Sequence, residues 1–275
     1  MINHLVGACL FWFVALMFAN AGFAEDLVIP GAGNPEYVLA RLALAFNSQQ
    51  SQHKVTVPIS TGTAGALRDI VSGAASLARV GRLLRDDERD RGIEFVAFGR
   101  DPVVFVAGAA VNVASITSSQ VLGIYRGAVS DWRDLGGAYG PVRAIGREFT
   151  DASRVAIKRY IKDFENIVFG DDVKVVHLDP QMIELLDRFP TSFGFLNRSA
   201  LFACKTKVTL LALDGVAPTP ENLISGSYPL FVEFGLIHRP NILTPAARDF
   251  IAFIRSPVGA RILREHGVVP PSLTQ

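Results

Sequence analysis

Leu27-Val28-Ile29-Pro30-Gly31-Ala32-Gly33-Asn34-Pro35-Glu36 is the stretch that decides how this chain folds. Three apolar residues read as a strand, a loop with two glycines and a proline turns the chain, and from Glu36 to Phe46 apolar residues recur at helical spacing, with Val38, Leu39, Leu42 and Phe46 on one face. A strand feeding a helix through a glycine-rich turn is the unit of an α/β protein, and in open α/β sheets ligands sit beyond the carboxyl ends of strands. A dinucleotide site is a poor fit for Gly31-x-Gly33, since the third glycine is missing and Pro35 intrudes.

The same unit recurs outward from this point. Residues 54–57, 95–98, 103–106, 142–145, 173–176, 193–196 and 208–213 are further strand candidates, with helical patterns between them. One late helix opens on Thr244 as N-cap with Pro245 in its first turn and turns Phe250, Ile251 and Ile254 inward; the last one stops near His266 at Gly267. With 275 residues, 49% of them hydrophobic, the chain has more than one average domain needs, and it reads as two lobes. Lysine and arginine number 27 against 26 aspartate and glutamate, so no global field draws it to nucleic acid, and no basic patch with interleaved aromatics is present.

The first 24 residues read as an export signal. Residues 5–19 are continuously apolar, too few for a span of about 20, and Gly22 and Ala24 suit cleavage before Glu25. Cys9 falls in that segment, which leaves Cys204 without an intramolecular partner and reads it as a buried small hydrophobe. Processing also leaves Trp132 as the sole tryptophan, a reporter for lobe closure.

Two stretches carry small or hydroxyl residues into a helix start: Thr61-Gly62-Thr63-Ala64-Gly65, and Thr150-Asp151-Ala152-Ser153 just after Arg147. A helix start offers unpaired N–H groups and the positive end of a dipole, and residues with short side chains let an anion approach them. With Arg147 between them, these stretches predict an oxyanion clamp, and Gly33 and Asn34 belong with it as the loop after the first strand. Ser76, Arg79 and Arg82 are further candidates; for the two arginines a cleft lining and a solvated face stand side by side. The run 85–91 reads as a solvated helix laced with ion pairs. His53, His177, His238 and His266 show no metal-ligand spacing, and no Gly-x-Ser-x-Gly elbow occurs, so the sequence offers no catalytic constellation and calls for no cofactor.

Three ordered segments resemble the PstS-like phosphate-binding periplasmic solute-binding proteins. These are residues 213–222 (LDGVAPTPEN) continuing into 225–230 (SGSYPL), residues 120–127 (QVLGIYRG) running on to Asp131-Trp132-Arg133-Asp134-Leu135-Gly136-Gly137, and residues 250–259 (FIAFIRSPVG) followed by Gly267-Val268-Val269-Pro270. The resemblance implies a type II periplasmic binding protein fold: two α/β lobes, residues 25–103 with 200–275 and residues 104–199, joined near residues 101–106 and 196–205 around a central cleft. It implies a periplasmic monomer, cleaved near Ala24, that captures inorganic phosphate or a similar oxyanion and presents it to an ABC transporter permease. Thr63, Arg147 and Ser153 match the family's ligands in kind.

Asp151-Ala152 stands where the family has Ser-Gly, and the acid expected near Ser76 and Gly81 is missing. An ionised Asp151 about 4 Å from a bound dianion would oppose it by roughly 4 kcal/mol at an effective dielectric near 20. Three resolutions stand open: Asp151 turns outward as a helix cap, it accepts the proton of monohydrogen phosphate, or the site no longer takes phosphate. Beside transport stand a noncatalytic periplasmic sensor or interaction protein with a changed ligand and, third, a phosphoester hydrolase.

Overall fold

The computed structural model describes residues 25–205 and 207–271; the export segment and cleavage site expected from the sequence, with Cys9 and Trp12, lie outside them. The strands are β1 (Glu25–Val28), β2 (His53–Thr56), β3 (Ala78–Val80), β4 (Glu94–Ala107), β5 (Ser115–Ile116), β6 (Arg143–Arg147), β7 (Lys174–Val176), β8 (Ser192–Asn197), β9 (Thr209–Leu213) and β10 (Phe231–His238). The helices are α1 (Glu36–Gln49), α2 (Gly62–Ser72), α3 (Asp86–Arg89), α4 (Ser118–Tyr125), α5 (Ala152–Tyr160), α6 (Asp179–Arg188), α7 (Pro220–Ile224), α8 (Pro245–Arg255) and α9 (Pro257–Glu265).

β4 organises the two lobes. The sequence divides it into two strands at Gly99 to Pro102, but the backbone runs through as one strand of 14 residues. Its first half pairs antiparallel with β10, from Glu94 opposite His238 to Pro102 opposite Phe231, and β10 also pairs with β3. Its second half changes neighbours: Val103–Ala107 pairs with β8 on one edge, and Phe105–Ala107 with β9 on the other. β8 continues in parallel to β6, and β6 to β7. The first lobe adds the parallel pair β1 and β2, tied to β3 by a bridge between Gly31 and Arg79. Residues 209–213, which the sequence division gives to the first lobe, pair with the second half of β4 and with β5, and we place them with the second.

Aromatic side chains fill the second lobe. Phe105 stacks on Phe193 at 5.8 Å, and Tyr125 meets Phe164, Phe169, Phe193 and Phe195 at 5.0–5.7 Å. Each such ring taken from water contributes about 1.5–3 kcal/mol, and the Tyr125 hydroxyl is satisfied by the carbonyl of Ile145 at 3.0 Å. That bond ties the core to β6, the strand that ends in Arg147. In the first lobe Phe46 packs edge-on against Phe250 and Phe253, joining α1 to α8. The predicted caps hold: Thr244 accepts from the N–H of Ala247, and Gly267 has φ +76°, the left-handed backbone that a helix stop favours.

Two crossover segments meet at Asp101. This buried carboxylate lies in β4 where the pairing changes, and it accepts from the backbone N–H and the hydroxyl of Ser199 in the 3-10 turn Arg198–Ala203 that follows β8. Burial pushes its pKa up to about 8 against the lowering effect of the Ser199 bonds. Cys204, expected as a buried hydrophobe, is only partly covered; burial and then Asp187 push its thiol up to about 12, which keeps it protonated at neutral pH.

Candidate functional site

Arg147 ends β6, at the carboxyl edge where α/β sheets place ligands, and is 3% exposed. One guanidinium arm pairs ionically with Asp151 Oδ2 at 2.9 Å and donates to the carbonyl of His177 at 3.2 Å; the other donates to Asp179 Oδ1. Asp151 is the N-cap of α5, its Oδ1 accepting from the Arg154 N–H at 3.0 Å, and Asp179 is the first residue of α6. Both acids follow ordinary local logic, since a carboxylate satisfies the free amides and dipole of a helix start. Folding brings the two starts to a single arginine. Arg154 completes the corner by donating to the Arg147 carbonyl at 2.7 Å, with its guanidinium 4.2 Å from the Phe169 ring centre.

Charge in this corner is shared unequally. Burial works to lower the pKa of Arg147, yet Asp179 and Asp151 together outweigh it and raise it. Asp151 is raised as well, by burial first; Arg147 pulls it down, but Asp179 competes for the same guanidinium and pushes it back up. One guanidinium therefore serves two carboxyl groups.

A polar network next to this corner joins both lobes to a crossover. Asn34, from the loop after β1, donates through Nδ2 to Asn197 Oδ1 at 2.6 Å and to Ser153 Oγ at 3.1 Å, and Ser153 Oγ donates to Asn197 Oδ1 at 3.0 Å. Asn197 ends β8, and both it and Ser153 are fully buried. Gly81, after β3, makes the close approach possible: a Cβ there would lie 3.1 Å from Asn34 Oδ1 and 3.5 Å from the Ala152 methyl. Three donors in this region have no hydrogen-bond partner among the described residues, Arg147 Nε, Arg154 Nε and Asn197 Nδ2. Unsatisfied buried donors cost about 1–3 kcal/mol each and ask for an acceptor.

Of the residues predicted from sequence, Asn34, Arg147, Asp151, Ala152 and Ser153 come together. Gly33 adjoins Ser60, and the Thr61 N–H donates to the Gly31 carbonyl at 3.0 Å, so the α2 start lies beside the first loop. No hydrogen bond joins residues 61–64 to Arg147 or Ser153 among the described residues. Thr61 and Ala64 are exposed, Gly62 has φ +72° with its N–H on Ser60 Oγ, Thr63 is half-buried, and Ala64 lines a shallow hollow with Leu67, Arg68 and Arg91 on another face.

The remaining candidates need correction. Ser76 precedes β3 and lies at the end of that strand away from Gly81, because about 3.3 Å per residue carries the chain past reach. Arg82 forms two bonds of 2.7 Å with Glu88, away from the cleft. The ion-paired run around α3 is solvated as expected except for Glu88, whose side chain is 1% exposed between Arg82 and Arg85. Arg79 is fully buried and serves neither role considered for it. It donates to the carbonyls of Ala32 at 2.8 Å and Pro58 at 2.7 Å, to that of Ile29, and to Glu36 at 3.0 Å, clamping the loops that lead to α1 and α2. Burial raises the pKa of Glu36, and Arg79 opposes that rise. Asp179 and Asn197 are residues of this corner that the sequence reading does not name, and Glu36 enters that reading only as the start of α1. The Asp-Pro pair at the α6 start was the one local cue among them.

Arg147, the α5 start and Asn34 converge from two lobes wrapped about a shared strand, and the model for a PBP superfamily domain matches residues 19–258. The chain belongs to the PBP superfamily. Its resemblance to PstS-like proteins holds along most of the length: it is 22% identical over 245 residues to the phosphate-binding protein PstS of Borreliella burgdorferi, covering 87% of this chain and 88% of that one. The Bacillus subtilis protein of the same name is 24% identical over 239 residues, covering 83% and 76%. Among solved structures, one from Clostridium perfringens, described as a phosphate ABC transporter substrate-binding protein with bound phosphate, superposes with a TM-score of 0.77 at 21% identity over 89% of this chain and 99% of that one. An ABC-type phosphate transport receptor from Vibrio cholerae gives 0.67 at 22% over 89% and 100%. These structures establish the shared PBP fold. Among the described residues of this PBP superfamily member, no helix is long and apolar enough to cross a membrane, and no group of three or more His, Cys, Asp or Glu is placed to hold a metal ion.

Proposed function

We propose that this protein is a periplasmic solute-binding protein that captures an oxyanion, inorganic phosphate first, between its lobes and delivers it to an ABC transporter permease. The observation that carries the reading is the junction of Arg147, the α5 start and the Asn34–Ser153–Asn197 network, which brings together groups from both lobes and a crossover and includes the unpaired buried donors Arg147 Nε and Asn197 Nδ2. Arginine supplies a forked cation and the helix start a dipole, the pair of devices that recognise a tetrahedral oxyanion. The PstS names of its relatives support phosphate as the ligand and a permease as the partner. Nothing in this function requires bond breaking.

A second reading draws on the pairing of Arg147 with both Asp151 and Asp179, which leaves its charge already balanced. On that reading the protein keeps the fold as a noncatalytic periplasmic sensor with a changed ligand. Calorimetric titration of the mature chain with phosphate and with sulfate separates them. Saturable heat with phosphate, lost in Arg147→Ala, supports capture; a folded wild-type protein silent to both anions refutes it.

A further inference from the structure

We infer that Asp151 is a resident counter-anion: its carboxylate fills the place at the start of α5 that a captured oxyanion takes, so binding exchanges one anion for another. This builds on the reading of the cleft as an oxyanion receptor. The Asp151 side chain engages both devices of that receptor at once. Oδ1 accepts from the Arg154 N–H at 3.0 Å, and Oδ2 takes a guanidinium arm of Arg147 at 2.9 Å. The carboxylate is buried and aimed at the arginine, so it caps the helix from inside the site rather than from solvent.

What the carboxylate leaves undone shows that it is a substitute. A carboxylate has two oxygens, and both are engaged. Arg147 Nε and Asn197 Nδ2 remain buried without acceptors, Arg147 being 3% exposed and Asn197 fully enclosed against Ser153, two residues beyond Asp151 on α5. A tetrahedral oxyanion has four oxygens and could accept from those two donors as well as from the groups Asp151 now holds. Asp179 provides the second half of the exchange, for it keeps one arm of Arg147 in place while Asp151 moves aside. The cleft is accordingly closed on itself, with Asn34 of the first lobe bonded directly to Ser153 of the second. Affinity for any external oxyanion is then reduced by the cost of displacing Asp151, and this one side chain sets the ligand concentration at which the protein responds.

The test uses the mature full chain and two variants, Asp151→Asn and Asp151→Ser, each of which keeps a preferred N-cap while removing the charge. Folding is checked by thermal melting, and inorganic phosphate and sulfate are titrated into each by calorimetry at one pH. Exchange predicts that both variants bind phosphate at least tenfold more tightly than wild type and that sulfate gains in parallel, because the resident charge opposes either anion. Should one variant fail to fold, the other decides. Phosphate binding unchanged or weakened in the folded variants overturns the exchange and leaves the oxyanion reading standing, since the wild type still binds. Silence of wild type and variants toward both anions overturns the two together.

Discussion

Replacing Asp101 by asparagine should make the protein more stable at pH 8 while changing little at pH 5. Asp101 is fully buried where β4 changes partners, and burial pushes its pKa from 3.8 to about 8. Between those values the folded protein holds a proton that the unfolded chain has released. The contribution of this group is therefore greatest below pH 4 and declines as pH rises toward 8, with a slope of about 1.4 kcal/mol per pH unit. From pH 5 to pH 8 that amounts to about 4 kcal/mol, a large part of the 5–15 kcal/mol that typically holds a domain together. Asparagine is neutral throughout, can accept the Ser199 N–H as the carboxylate does, and can donate to the Ser199 hydroxyl. The assay is urea unfolding of both proteins at pH 5, 6.5 and 8, reading the difference between them so that all other titrations cancel. A difference that grows by several kcal/mol toward pH 8 is expected. Parallel curves would falsify the assignment of a proton to Asp101 in the native state.

Three further outcomes can be checked by the same unfolding method. Phe193→Ala removes a ring that packs on Phe105, Tyr125 and Trp132, and should cost about 3–5 kcal/mol; less than about 1 kcal/mol would mean the second-lobe core closes around the gap. Arg79→Lys leaves one ammonium with three donors where a guanidinium serves three carbonyls and Glu36, so at least one buried acceptor is orphaned at about 1–3 kcal/mol, and stability should fall by at least about 1–3 kcal/mol. Glu88 accepts from Arg82 and from the Arg85 N–H, and the Arg82 bonds first among these hold its carboxyl down at about 2. Its contribution is present above about pH 4.5 and lost as pH falls through 2, so Glu88→Gln should destabilise by about 1–3 kcal/mol at pH 7 and by almost nothing at pH 2.

Much of the fold could be read where local rules coincide with the final structure. Residues 31–35 turn a strand into α1, Thr244-Pro245 starts α8 and Gly267 stops α9, because capping and turn chemistry act within a few residues. β3 escaped because Ala78-Arg79-Val80 is three residues long with a cation at its centre; Arg79 is tolerated there only by acceptors at Ile29, Ala32, Glu36 and Pro58, which the fold alone gathers. β10 also went unnamed, its alternation broken by Glu233 and by a register shift at Gly235. In the site, the sequence offered a capping role and an inward role for Asp151 as alternatives. The side chain caps α5 but is buried rather than turned outward, because Arg147 four residues earlier pairs with it at the same helix start. Asp179 was out of reach for a sequence reading, since 32 residues separate it from the arginine it binds. Trp132 is also placed differently from its intended use: it is buried beside Phe193 with Nε1 on the Thr191 carbonyl at 2.9 Å, so its emission reports the second-lobe core rather than the cleft.

The unbroken run of β4 links the fates of the two halves. Glu94 to Pro102 supplies the strand beside β10 in the first lobe and Val103 to Ala107 a strand flanked by β8 and β9 in the second, without a flexible tether between them. Loss of order in either half frees the end of a strand that the other needs, so heat should melt the molecule in one cooperative step, and neither half excised at Pro102 should fold by itself.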